Sequence, residues 1–271
     1  MINIVRDWRD TAVDIILPPT CALCGGAPAE REARFCEACH GLLTAERCLA
    51  SCRRCAMPLP AADGPAADGP AARPAGGPGG GEREVDAGCA HCRSRRFAFA
   101  QAFAFGFYRG VLREAVIASK QTSHAPLTLA LGELLAETLR SGLGEDAPDG
   151  VLPVPSHWTR RLRRGGVPAQ WLAESIGQSL GIRPLQTLRC IRRTKKQGTL
   201  PPEKRAENVR HAFRAKTGYA FGASQRAVAG RHLLLVDDVL TTGSTGDAAA
   251  AALRTAGAER VTLAVIARAT G

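Results

Sequence analysis

Apolar and polar positions alternate most visibly in FAFAQAFAFGF, residues 97–107, where Phe is set against Ala with the period-two pattern of a strand. Helical spacing follows over about 110–121 and 126–141, then an apolar strand at Val151–Val154. A further helix is predicted from Pro168 to Leu180, and a strand near Thr187–Ile191. Residues 193–209 are polar and basic. The run HLLLVDD, His232–Asp238, reads as a strongly apolar strand, followed by an Ala-rich helix over about 245–256 and a last strand at Val261–Ile266. Strands that alternate with helices need crossovers, so the pattern predicts an α/β fold with a mostly parallel sheet flanked by helices. Ligands of such sheets gather beyond the carboxyl ends of the strands, which directs attention to the loops after Val154 and Val236.

The region before Phe97 has a different grammar. Eight of its cysteines form four Cys-x-x-Cys pairs: Cys21/Cys24, Cys36/Cys39, Cys52/Cys55 and Cys89/Cys92. Two thiolates spaced in this way on a tight turn can share one tetrahedral Zn2+, and two such pairs close a four-sulfur site. Such sites have no open coordination position, so they are expected to be structural. The first two pairs lie close together, whereas PLPAADGPAADGPAARPAGGPGGG at 58–81 lengthens the gap between the third and fourth. This duplicated Pro/Gly-rich stretch, counted to residue 84, reads as an insertion, because loop-closure cost grows only slowly with length. The pairs predict a double zinc ribbon over 21–95, after a helical lead-in at 1–20. Spacing alone leaves open whether the first pair closes with the second or with the third.

Composition changes the picture in one respect. Hydrophobic residues make up 45% and charged residues 23% of 271, ordinary values for a globular chain. The opening MINIVRDWRDTAVDIILPPT mixes acids and bases and lacks the apolar centre of a signal peptide. Apolar runs elsewhere fall short of the ~20 residues of a membrane span, so a cytoplasmic protein is expected. The net charge of +11 is concentrated between Val151 and Lys216, where fifteen Arg and Lys face three acids. A block of that kind suggests an anionic partner, either a phosphorylated ligand or nucleic acid.

The chemistry is concentrated after the HLLLV strand. Asp237 and Asp238 stand at its end and lead into Thr241, Thr242, Gly243, Ser244 and Thr245 at the start of a helix. Backbone N–H groups and the helix dipole make such a turn an anion site, and the hydroxyls add donors. The carboxylates cannot favour phosphate, so they suit hydroxyls or a metal; together the two ends describe a sugar phosphate. No Gly-Lys-Ser/Thr follows, which excludes a Walker loop.

This stretch resembles the 5-phosphoribosyl-1-pyrophosphate (PRPP) motif of type I phosphoribosyltransferases. The resemblance implies that Asp237 and Asp238 hold the ribose hydroxyls and that residues 241–245 cradle the 5′-phosphate, with Mg2+ accompanying PRPP. Pro153, Val154, Pro155 and Ser156 resemble the family's pyrophosphate loop, and the stretch from Arg192 through Lys195, Gln197 and Arg205 to Asn208 its flexible catalytic loop. The whole order resembles the ComF family of bacterial competence proteins: a double zinc ribbon, Tyr108-Arg109-Gly110, Lys120, Pro-Val-Pro, and the Asp-Asp loop. The chain departs from that family at Gln121, where an aromatic is usual, and at Arg164-Gly165-Gly166-Val167-Pro168. The resemblance implies a type I phosphoribosyltransferase-like domain over 97–271, two structural zinc sites, and single-stranded DNA or DNA-uptake proteins as partners. The alternative is a non-catalytic single-stranded nucleic-acid-binding protein that retains a PRPP pocket.

Overall fold

In a computed structural model, the described residues are 18–59, 88–155, 168–192, 201–216 and 228–270. Among these residues four parallel strands form the main sheet: β1 (Gln101–Phe107), β2 (Gly150–Pro153), β5 (His232–Leu240) and β6 (Arg260–Arg268), in the order β1-β6-β5-β2. A separate antiparallel pair joins β3 (Leu188–Cys190) to β4 (Phe213–Ala215). The helices are α1 (Glu37–Ala45), α2 (Gly110–Ala118), α3 (Ala125–Leu143), α4 (Pro168–Leu180), α5 (Pro202–Val209) and α6 (Ser244–Thr255).

The central strand β5 shows why the sheet is buried on both faces. Leu234 and Val236 enter the core beneath α2, α3 and α4, while Leu233 and Leu235 enter the opposite core with α6 and the β3–β4 pair. Successive strand residues point to opposite faces, so an unbroken apolar run is what a two-sided strand requires. Polar atoms at the strand starts are paired: His232 Nε2 and Thr262 Oγ1 lie 2.8 Å apart, both buried. Close helix packing uses a small residue, since a Cβ on Gly132 of α3 would stand 2.7 Å from Ser175 of α4.

The cysteine-rich region is built into this body. Cys21, Phe35, Cys39 and Leu43 belong to the same core as Phe105, Leu112 and Leu131. The segment after α1 runs along β1: Phe107 N–H donates to Glu46 O at 2.8 Å, Cys48 N–H to Phe105 O at 2.9 Å, and Ala102 N–H to Arg53 O at 2.8 Å. Gly106 permits this approach, because a Cβ there would fall 2.4 Å from the Glu46 carbonyl oxygen. Arg109 adds an ion pair to Glu46 at 2.6 Å.

Two expectations need correction. The strand near Thr187–Ile191 exists, but it pairs antiparallel with β4 outside the main sheet. The polar stretch ending at 209 contains α5, so the segment carrying Arg205 and Asn208 is helical. Ser156, Lys195, Gln197, Arg164–Val167, most of the lead-in and most of the Pro/Gly insertion lie outside the described residues.

Candidate functional site

β5 delivers Asp237 and Asp238 to the carboxyl end of the sheet, and the chain then turns through Thr241, Thr242 and Gly243 into α6. Gly243 has φ of +84°, the left-handed region that glycine enters without penalty, and a Cβ there would meet the Phe97 ring at 3.0 Å. Thr242 and Ser244 hydroxyls lie 2.9 Å apart. A small cleft brings Asp237, Thr241, Gly243, Ser244 and Thr245 together.

The carbonyls of the turn are held from behind. Arg268 Nη1 donates to the oxygens of Leu240 (2.8 Å) and Thr241, and Arg95 Nη1 donates to Thr242 O at 2.9 Å. Every peptide bond here is trans, so each pinned carbonyl turns the N–H of the next residue the other way. The N–H groups of Thr241, Thr242 and Gly243 therefore face away from the arginines, next to the amino end of α6. Fixed amides and a helix dipole are the ingredients of an anion cradle.

The carboxylates have a different setting. Asp238 pairs with Lys120 Nζ at 2.8 Å and accepts from the Val239 N–H at 2.7 Å. Desolvation, followed by repulsion from Asp238, holds the Asp237 carboxyl well above the usual carboxylate range. Burial opposes the Lys120 charge, yet Asp238, with Tyr108 and Asp237, raises the lysine pKa on balance. Pro153 and Val154 flank this end, because Pro153 pairs with Val236 and Val154 N–H donates to Val236 O at 2.8 Å. Pro155 comes directly after them.

Arg192 stands elsewhere in its contacts: Nη2 donates to the carbonyls of Glu207, Asn208 and Arg210, capping the carboxyl end of α5. Lys120 was among the sequence landmarks without an assigned role, and Arg95 and Arg268 carried no local signal. A larger cavity of about 560 Å³ opens at the opposite end of the sheet, beside Asp149, His232, Arg260 and Phe99. It faces the amino ends of β5 and β6, where parallel sheets do not collect their ligands.

The cysteines close in sequence order. Cys21, Cys24, Cys36 and Cys39 form one cluster and Cys52, Cys55, Cys89 and Cys92 the other, with all sulfurs of each within 4.8 Å of one another. Cys24–Cys36 and Cys52–Cys92 sulfurs are 3.7 Å apart, and Cys55–Cys89 3.6 Å. A tetrahedron with ~2.3 Å zinc–sulfur bonds has edges of about 3.8 Å, whereas a disulfide needs about 2.05 Å. The donor sets fit zinc. Thiolates are already favoured at one ligand of each cluster. The Cys55 thiol brings Cys52 down to about 4; burial opposes ionisation of Cys21, but the N–H groups of Cys24, Cys36 and Leu23 lower it to about 6.

The second cluster stands behind this turn. His91, between ligands Cys89 and Cys92, accepts from Arg268 Nη2 at 3.1 Å, and Arg54 donates to the Arg95 carbonyl at 2.6 Å. Ala98 N–H donates to Asp247 in the first turn of α6 at 2.6 Å.

Residues 162–270 match the model of the phosphoribosyl transferase domain, and residues 12–70 that of the double zinc ribbon domain. The DNA utilization protein YhgH of Salmonella typhimurium is 32% identical over 130 residues, 46% of this chain and 53% of the relative. Competence protein F of Haemophilus influenzae is 32% identical over 123 residues, 45% of this chain and 51% of its own length. The chain thus spans about half the length of the curated relatives it matches. A phosphoribosyltransferase structure from Corynebacterium diphtheriae aligns over 59% of this chain and 69% of its own, at 22% identity and a TM-score of 0.32. Among the described residues no helix is long and apolar enough to cross a membrane.

Proposed function

The chain belongs to the ComF family, with a double zinc ribbon ahead of a phosphoribosyltransferase domain, and on that premise we propose that it binds PRPP with Mg2+ at the end of β5. Asp237 and Asp238 would accept from the ribose 2′- and 3′-hydroxyls, and the amides and hydroxyls of 241–245 would receive the 5′-phosphate. Pro153–Ser156 would border the pyrophosphate. One observation carries this reading: two carboxylates at a strand end lie beside a turn whose carbonyls at Leu240, Thr241 and Thr242 are drawn backwards, turning the N–H groups that follow them outward, toward an anion. Mg2+ would supply charge neutralisation on the pyrophosphate. In a transfer reaction the chain's own part is to hold the ribose and exclude water while pyrophosphate leaves C1′. Carboxylates near the ring would favour the oxocarbenium-like charge that develops there.

Calorimetric titration of PRPP with Mg2+ tests this. Wild-type protein should bind and Asp237→Asn/Asp238→Asn should not. Absence of binding to wild type with zinc intact would overturn it.

A second reading, nucleic-acid binding linked to DNA uptake, is supported by one feature of the basic block. Arg189 on β3 stands directly opposite Arg214 on β4, both exposed. Like charges facing each other across an antiparallel pair are unfavourable, and an anionic partner relieves them. Arg189→Glu/Arg214→Glu should abolish single-stranded DNA binding, and its salt dependence, while leaving PRPP binding unchanged. Equal DNA affinity in wild type and variant would remove this reading.

A further inference from the structure

Arg268 occupies an unusual place. It ends β6, is 1% exposed, and is the largest of the fully buried side chains. A buried guanidinium is expensive unless negative charge or a full set of acceptors surrounds it. Its Nη1 serves three carbonyls, those of Leu240, Thr241 and Ala269, and Nη2 donates to His91. Its Nε is buried with no hydrogen-bond partner among the described residues. Burial works against its charge, and the cysteine cluster it reaches through His91 becomes its anionic neighbour once four thiolates hold a metal. Four thiolates around one divalent ion leave excess negative charge, so this cation offsets the second cluster on one side. On the other side it fixes the turn that receives an anion.

We propose that Arg268 is a positioning residue that couples occupancy of the Cys52/Cys55/Cys89/Cys92 metal site to the shape of the turn at 240–243. Arg268 touches the turn directly and reaches the cluster through His91, 177 residues away in sequence. Without this cation the cradle would present its amides with an uncompensated negative cluster behind it, and the cluster would lose a charge partner. The Cys21/Cys24/Cys36/Cys39 site lies beside α3 instead, through the Arg34–Glu133 pair at 3.0 Å, and among the described residues has no such link to the turn. Metal in the second site and anion in the turn therefore reinforce each other by the same factor, as linkage requires.

The proposal rests on the reading of that turn as an anion site, but its test needs no ligand. Full-length protein is loaded with Co2+, whose visible bands report each tetrathiolate site, and metal affinity is measured against a chromophoric chelator. Amide exchange is followed at 240–245. In Arg268→Gln the Cys52/Cys55/Cys89/Cys92 site should weaken about 10–100-fold with shifted bands, the range seen when a residue supporting metal ligands is removed. The other site should be unchanged, and exchange at 240–245 should quicken. Arg268→Lys keeps the charge without the planar fork, so it should restore most of the metal affinity but not the protection of the turn. Unchanged metal affinity in Arg268→Gln, or exchange at 240–245 that stays as slow as wild type, would overturn the coupling. Equal weakening of both sites, with protection lost throughout the sheet, would overturn it in favour of a general packing role. PRPP calorimetry on wild type is read separately, so a missing substrate site and a missing coupling give different results.

Discussion

Asp237→Asn should make the unliganded protein more stable while removing its ligand. The Asp237 carboxyl is held above the usual range by desolvation and by Asp238, and Lys120 is engaged with Asp238 at 2.8 Å. The folded state therefore keeps a proton that the unfolded chain releases near pH ~4. Above that pH the folded protein binds more protons at this position, so stability falls as pH rises until the folded-state carboxyl ionises. One proton sets the steepest slope, about 1.4 kcal/mol per pH unit, and the loss stops growing beyond the folded pKa. Asparagine cannot ionise and also relieves the repulsion on Asp238. Each kcal/mol gained should raise the melting temperature by roughly 2–4 °C for a chain of this size. The assay is thermal unfolding of zinc-loaded wild type and variant from pH 5 to 8, beside calorimetry with PRPP and Mg2+. Taking the difference between the two proteins cancels the pH dependence that both share from their zinc thiolates. The variant should gain on wild type as pH rises, and its binding should be lost. A variant no more stable than wild type at pH 7, with a pH-independent difference, would refute the reasoning.

Purified protein should carry two zinc ions per chain by native mass spectrometry, and Cys89→Ser/Cys92→Ser should carry one; two ions in that variant would break the sequential pairing. Gly106→Ala should cost about 2–4 kcal/mol, measured by urea unfolding, because its Cβ would meet the Glu46 oxygen at 2.4 Å and force the 46–53 segment off β1. A cost under about 0.5 kcal/mol would mean that the segment yields freely. Gly243→Ala should cost roughly 1–2 kcal/mol from its φ of +84° and reduce PRPP affinity at least about tenfold through the displaced turn; unchanged affinity would separate that turn from the ligand.

Much of this was legible because it is contiguous. The apolar run of β5, the two acids and the Thr/Gly/Ser turn succeed one another, so strand, carboxylates and helix start could be read from neighbouring letters. Cysteine spacing named the ligands but left their pairing open, since a tight turn supplies two sulfurs whichever pair completes the site. Three-dimensional proximity closed that choice. β4 has three residues and α5 lacks an apolar stripe, so neither offers a period long enough to detect, and both form under cover from α6. The β3 strand was seen without its partner, which is why its antiparallel pairing outside the main sheet was not. Lys120, Arg95 and Arg268 are ordinary in their local sequence. Their significance lies in reaching carbonyls and a carboxylate more than a hundred residues away or at the end of a neighbouring strand.

The hydrogen bonds that run from Glu46, Cys48 and Arg53 to β1 also determine what happens when metal is withheld. β1 is an edge strand of the parallel sheet as described, and its sequence QAFAFGF is rich in aromatic and small apolar residues with no charge. Stripped of the ribbon segment, it would present unpaired backbone groups along a flat, sticky border, which is a template for strand addition from another copy. Zinc starvation should therefore produce aggregates rather than a loosened monomer. Returning the metal afterwards would come too late, because the place where the ribbon docks would already hold a second chain.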